Sequence, residues 1–312
     1  MTSSRTPIIE KLESASIEIL AKLGSFSATS YWEDDVAEYL AKRADEAGLK
    51  TSVDQFGNVL VTKPGSDSSA AGIAFVAHTD HPGYEIVEQD GRKLTLKALG
   101  GVGLHAGRAG TQINVIEEDG SHVNAVVTGS DEPDGDFAKS REKDGWLGTD
   151  TVYAELSDDI SIKSLPRPVV PSLIDFEIND GLIRMRAADD LAGCAAILGA
   201  IESMASTETA GNVYGLFTRA EEVGLVGARL AAENELLPKN TIIVSVETSS
   251  VLPGAEIGHG IVICTGDRSA TFDYEAEAYL GEAVQRIKSV TPGFKVQRQL
   301  MTAGGCEASA FK

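Results

Sequence analysis

Apolar positions recur along the chain with two alternating periods, and the points where the period changes mark the elements. The opening stretch, MTSSRTPIIEKLESASIEILAKLG, interleaves charges with apolar residues at helical spacing. It reads as an amphipathic helix and lacks the continuous apolar segment of a secretory signal, so a cytoplasmic protein is expected. Between Trp32 and Gly48, the residues Val36, Tyr39, Leu40 and Ala44 share one helical face, and Gly48 ends it. Short strands are expected at Thr51–Val53 and Val59–Thr62 around a Gly57-Asn58 turn. Ile73–Ala77 is a continuous apolar run, as expected of a strand covered on both faces.

From about Val87 to Ile178 the texture changes. Short alternating runs (Lys93–Leu96, Thr111–Ile116, His122–Val127, Val152–Glu155) lie between clusters of Gly, Asp and Pro, which predicts a small all-β module. The acidic, Gly-containing stretch Ser130–Thr149 reads as a surface loop within it. Alternating strand and helix patterns resume after Asn179. Strands are expected at Leu182–Arg186, Val213–Thr218, Thr241–Val246, Ile261–Cys264 and Lys295–Gln299, and helices at Leu191–Met204, Gly227–Asn234 and Tyr274–Ser289. The expected fold is α/β, a mixed sheet flanked by helices, interrupted by an inserted β-barrel-like domain. Residues 1–89 and 179–312 would form the catalytic domain and 90–178 the insert.

Composition narrows the function. A 312-residue chain with 42% apolar and 24% charged residues has the balance of a soluble globular protein, and no apolar run is long enough to span a bilayer. A net charge of −20 opposes binding to nucleic acid, and part of that excess would suit a cation site. Cys194, Cys264 and Cys306 are far apart and form no CxxC pair, so neither a disulfide framework nor a Cys-ligated zinc is expected.

Four places share one pattern: an apolar run ends and acidic or imidazole side chains follow at once. Ile73–Ala77 leads to His78 and Asp80, Leu182–Ala188 to Asp189-Asp190, Leu216–Ala220 to Glu221-Glu222, and Ile242–Val246 to Glu247. In open α/β sheets, sites lie beyond the carboxyl ends of the strands, so four strands would deliver these groups to one rim. Two like charges 4 Å apart repel by about 4 kcal/mol at an effective dielectric of about 20, a cost that divalent cations would remove. Mixed His and carboxylate ligands suit zinc, with manganese or cobalt as alternatives, and a carboxylate beside a ligand suits a general base. Each cluster taken singly also has a bland reading. His78–Asp80 would be a hydrogen-bonded pair, Asp189-Asp190 a helix cap, Glu221-Glu222 an exposed helix start and Glu247 a loop carboxylate.

In this order the motifs resemble those of the glutamyl-aminopeptidase and tetrahedral-aminopeptidase family of dinuclear metallopeptidases. The family's AHxDExG resembles Ala77-His78-Thr79-Asp80-His81-Pro82-Gly83. Its DDRxG resembles Asp189-Asp190-Leu191-Ala192-Gly193, and its EEVGxxGA resembles Glu221 to Ala228. Gly100–Ile116 resembles the start of that family's β-barrel insertion, and Gly304-Gly305-Cys306-Glu307-Ala308 its GGTDA.

The resemblance implies two divalent metal ions. His78 and Glu247 would bind the first, Glu222 the second, and Asp189 would bridge both. Glu221 would be the general base, Asp80 would steer His78, and Asp190 would fix the turn after the bridging ligand. It also implies a peptide substrate cleaved at its N-terminal residue, and a homo-oligomer formed through the inserted domain. His81-Pro82 and Leu191 depart from the family pattern, and Glu247 stands where the family more often has Asp. The family's last metal ligand, a His well beyond the GGTDA-like stretch, has no counterpart before Lys312. The chain is therefore expected to be incomplete at its C-terminus, with His81 and His259 as the candidates to substitute. Two rivals stand beside the peptidase: a related deacylase acting on a non-peptide amide, and a metal-deficient relative that acts by binding.

Overall fold

The computed structural model describes residues 7–249, 251–302 and 304–312. The first six residues of the expected N-terminal helix lie outside these. The helix itself is α1 (Pro7–Gly24), followed by α2 (Asp34–Glu46), β1 (Lys50–Val53), β2 (Val59–Lys63) and β3 (Gly72–His78). The chain then leaves for a closed six-stranded barrel: β4 (Gly83–Asp90), β5 (Lys93–Leu99), β6 (Gln112–Ile116), β7 (His122–Ser130), β8 (Thr151–Leu156) and β9 (Arg167–Pro171). α3 (Gly135–Lys143) interrupts it between β7 and β8, in the stretch read as a loop. α3 buries none of its residues, so no apolar stripe marked it in the sequence. β4 and β9 also escaped the alternation test. β4 carries a bulge between Ile86 and Glu88, and β9, RPVVP, has two prolines and is buried along almost its whole length.

A hairpin, β10 (Glu177–Asn179) and β11 (Leu182–Arg184), leads back to α4 (Ala188–Ser203), β12 (Val213–Thr218), α5 (Val226–Glu233) and β13 (Thr241–Ser245). β14 (Ile261–Cys264), α6 (Tyr274–Val290) and β15 (Val296–Gln299) follow. The main sheet has the order β1-β2-β12-β3-β13, with β12 and β13 parallel to β3 and β2 antiparallel to β12. Side chains alternate across it. Phe217, Val59, Val61 and Ala77 join Ile19 and Leu23 of α1, Leu40 of α2 and Leu198 of α4 on one face. Ala74, Val76 and Leu216 join Ala231 and Leu237 on the other. The barrel has its own core, including Tyr84, Ile113 and Leu156. No helix among the described residues is long and apolar enough to cross a membrane.

Two expectations change here. β11 is not a member of the main sheet but half of a separate two-stranded hairpin, and all three of its residues are exposed. Asp189 and Asp190 therefore arrive on the start of α4 rather than from a sheet strand. β14 and β15, in turn, form their own parallel pair. A cavity of about 810 Å³ separates β13 from β14 and α6, with Ile243, Val244, Ile263, Leu280 and Phe311 in its walls.

Candidate metal centre

β3 ends at His78, whose backbone carbonyl is held by Cys194 Sγ of α4 at 3.0 Å. Beyond the strand the chain doubles back, and His78 Nδ1 lies 3.0 Å from the carbonyl oxygen of Asp80 and 3.4 Å from its carboxylate. An Nδ1–H donated there leaves Nε2 as the nitrogen with a lone pair. Around Nε2 stand Asp189 Oδ1 at 3.2 Å, Glu247 Oε2 at 3.8 Å and Glu221 Oε2 at 3.9 Å. Donor atoms of His78, Asp189 and Glu222 lie within 4.8 Å of one another, and so do those of His78, Asp190 and Glu247. The six side chains thus meet at one end of the sheet.

Asp80 is buried and hydrogen-bonded on both oxygens. Oδ1 accepts the Glu221 N–H at 2.8 Å, and Oδ2 accepts the Glu222 N–H at 3.2 Å and the Ser30 hydroxyl at 2.6 Å. It therefore ties the turn after β12 to the turn after β3. Burial pushes its carboxyl up, but the bonds from His78, Ser30 and Glu221 hold it below the ordinary range. Glu221 and Glu222 have less help. Burial pushes Glu221 up to about 8 and Glu222 to about 7, opposed by His78 and reinforced by neighbouring carboxylates. Glu247 is also raised by burial, with Asp190 and Glu307 adding to it.

Asp190 tests whether a cation fits. Its carboxylate is fully buried and neither oxygen has a hydrogen-bond partner. Burying a charge without a partner is costly, and α4 shows no side-chain cap that would explain it. One imidazole nitrogen with several carboxylate oxygens is a donor set that zinc, manganese and cobalt accept, and a cation would relieve both this orphan and the mutual repulsion. The residues present fit a divalent metal.

The two histidines weighed as replacement ligands do not reach the site in that role. His81 is buried with both ring nitrogens engaged: Nε2 accepts from Ala28 N–H at 3.1 Å and Nδ1 lies 3.0 Å from Pro82 O. His259 is exposed and paired with Glu256 at 3.1 Å. Glu307, to which the motifs assign no role, is fully buried and accepts from Ser245 Oγ at 2.7 Å and Thr218 Oγ1 at 3.4 Å. Its only signal was its place in the GGTDA-like stretch. The barrel also reaches the site. Gly100 has φ +79, and a Cβ there would lie 2.8 Å from Glu222 Cβ, while the Trp146 ring covers Gly101.

Comparison with known proteins agrees with this geometry. Residues 57–312 match the M42 glutamyl aminopeptidase family. The TET1 peptidase of Pyrococcus horikoshii, described as assembling into a tetrahedron or a large octahedral shell, is 26% identical with a TM-score of 0.74. That match covers 95% of this chain and 87% of that one. A TET aminopeptidase from a marine-sediment thaumarchaeote is 22% identical (TM-score 0.76, 96% and 84% covered). An aminopeptidase of Desulfurococcus kamchatkensis is 21% identical (TM-score 0.72, 96% and 83% covered). These last two likenesses show the shared fold, a mixed sheet with an inserted six-stranded barrel. With one imidazole ringed by carboxylates at the end of such a sheet, and with most of its length matched, the chain belongs to the M42 glutamyl aminopeptidase family of metal-dependent aminopeptidases.

Proposed function

We propose that this protein removes N-terminal residues from peptides at a pair of divalent cations, zinc with cobalt or manganese as alternatives. The observation that carries the reading is the meeting of Asp189, Glu221 and Glu247 around His78 Nε2. His78 and Glu247 would hold one cation, Glu222 the other, and Asp189 would bridge them. When bound, such ions polarise the scissile carbonyl and make water nucleophilic at neutral pH. Glu221 takes the proton of the attacking water on its carboxylate and returns it to the leaving amine. Its raised proton affinity suits both halves of that task. Asp80 fixes the His78 ring and the Glu221–Glu222 backbone without touching substrate. The acidic surroundings attract the positively charged amine of a peptide N-terminus.

Assembly into a homo-oligomer through the barrel is part of the same reading. It is supported by the assemblies described for the Pyrococcus TET1 peptidase and by the exposed Phe137 of α3. A cytoplasmic location is supported by three unpaired thiols. The test is hydrolysis of aminoacyl-anilides against N-acyl amino acids, with zinc, manganese or cobalt added to chelator-treated protein. Metal-restored release of the anilide is expected. Cleavage of the N-acyl substrates alone would turn the reading into a deacylase, and no cation binding would remove it.

A further inference from the structure

Three consecutive peptide N–H groups carry the Glu221–Glu222 turn, and carboxylates from elsewhere in the chain hold all three. Asp80 takes those of Glu221 and Glu222. The third, from Ala220, goes to Glu33 Oε1 at 3.0 Å. Glu33 stands at the N-cap of α2, where an acidic side chain commonly bonds back to its own helix. It makes no such bond. Only 2% exposed, it turns to the end of β12 instead. Oε1 also accepts from Tyr31 N–H at 2.7 Å, and Oε2 accepts from Arg219 Nε at 3.2 Å and Nη2 at 2.8 Å.

Arg219 is also held by two backbone carbonyls. Nη1 donates to Phe56 O at 3.1 Å and Nη2 to Tyr31 O at 2.9 Å. Gly57, with φ +91, makes room for it, since a Cβ there would lie 2.9 Å from Nη1. The Arg219 N–H donates to Asn58 Oδ1 at 3.2 Å, and the Asn58 amide donates on to Gly227 O at 3.1 Å. Between Arg219 and Glu221 sits Ala220 at φ +53. A left-handed backbone is unfavourable for a residue with a side chain, so the turn persists only because its surroundings impose it. A buried ion pair adds little net stability over apolar packing, but it admits one geometry, and losing one partner strands the other.

We propose that Glu33 and Arg219 are a positioning pair, holding the strained Ala220 turn so that Glu222 and Glu221 meet His78 at the spacing the cations require. This rests on the reading of Glu222 as ligand and Glu221 as base. Neither member of the pair touches cation or substrate, and both act through the backbone.

The test uses the 312-residue chain with Glu33→Gln, Arg219→Met, their combination, and Glu33→Asp. Glu33→Gln keeps the size of the side chain but removes the charge and one acceptor facing the guanidinium. Two quantities are read: hydrogen exchange of the Ala220–Glu222 amides in metal-free protein, and Co²⁺ affinity by calorimetry. Exchange about tenfold faster is expected in Glu33→Gln, with Co²⁺ affinity lowered ~10–100-fold. Arg219→Met moves both the same way, and the double variant is no worse than the worse single one, because the pair acts as a unit. Glu33→Asp falls between. A folded Glu33→Gln with wild-type exchange and wild-type Co²⁺ affinity would overturn the proposal, whatever its melting temperature. So would faster exchange with unchanged affinity. If Glu33→Gln does not fold, Arg219→Met and Glu33→Asp carry the same comparison. Wild-type protein that binds no Co²⁺ would instead remove the metal reading, and the exchange data would still decide the clamp.

Discussion

β12 and β13 both run parallel to β3, one on each side, yet every residue of β12 is buried and every residue of β13 is half-buried. Residues of a strand point alternately to the two faces, so exposure through one face would fall on every second residue. Uniform half-burial means that β13 is open along its edge. β12 has β2 beyond it, whereas β13 has the cavity that separates it from β14. The site inherits this asymmetry. Asp80 and Glu33 brace the turn after β12, while the Glu247 carboxylate beyond β13 accepts from the neighbouring Thr248 N–H at 2.8 Å. One wall of the centre is built into the core and the other hangs on a sheet margin.

One carboxylate from each wall should separate catalysis from cation binding. Glu221→Gln on the braced wall is expected to lower kcat/KM for an aminoacyl-anilide about 10²–10⁴-fold with cation affinity retained. Glu247→Gln, on the open wall, should lose cation affinity instead. If both variants lost turnover at unchanged affinity, Glu247 would not be a ligand.

Stability offers the next contrast. Phe217→Ala in β12 removes a ring that is 1% exposed and should cost about 3–5 kcal/mol in urea unfolding. Ile243→Ala in β13, already half-open to water, should cost about 1–2 kcal/mol. Equal costs would show that β13 is as well packed as its counterpart.

A further contrast is a pH dependence at the turn after β3. Burial lowers the His81 imidazole from 6.5 to about 4. The folded protein keeps it neutral while the unfolded chain takes up a proton, so its contribution is fully present above pH 6.5. It is lost as pH falls towards 4, by about 3 kcal/mol in all. His81→Gln should flatten that window in the difference between wild-type and variant unfolding curves. An unchanged slope would mean that the imidazole is not buried as described.

Much of this was legible in the residues, and what was hidden had a physical reason. Ile73–Ala77 and Val213–Thr218 announced themselves because strands covered on both faces must be apolar throughout, and His78 and Glu221 follow them directly. Leu182–Arg186 looked the same and was not, because an exposed hairpin can carry apolar residues too. Asp190 taken singly reads in sequence as part of a helix cap, and only the structure shows its carboxylate buried without a hydrogen-bond partner. The Asp80–Glu221 bond spans 141 residues, and the Glu33–Ala220 bond spans 187. No local pattern announces contacts of that reach, so Glu33 and Arg219 carried no signal of their own.

A module spliced into a host is commonly tolerated because it leaves the host's working parts alone. At Gly100 that separation fails, since not even one carbon fits between graft and host beside Glu222. A chain trimmed of its barrel would keep all four side chains expected to grip the ions, yet lose the surface that stops one of them from swinging aside. The insertion is part of the blade rather than the handle.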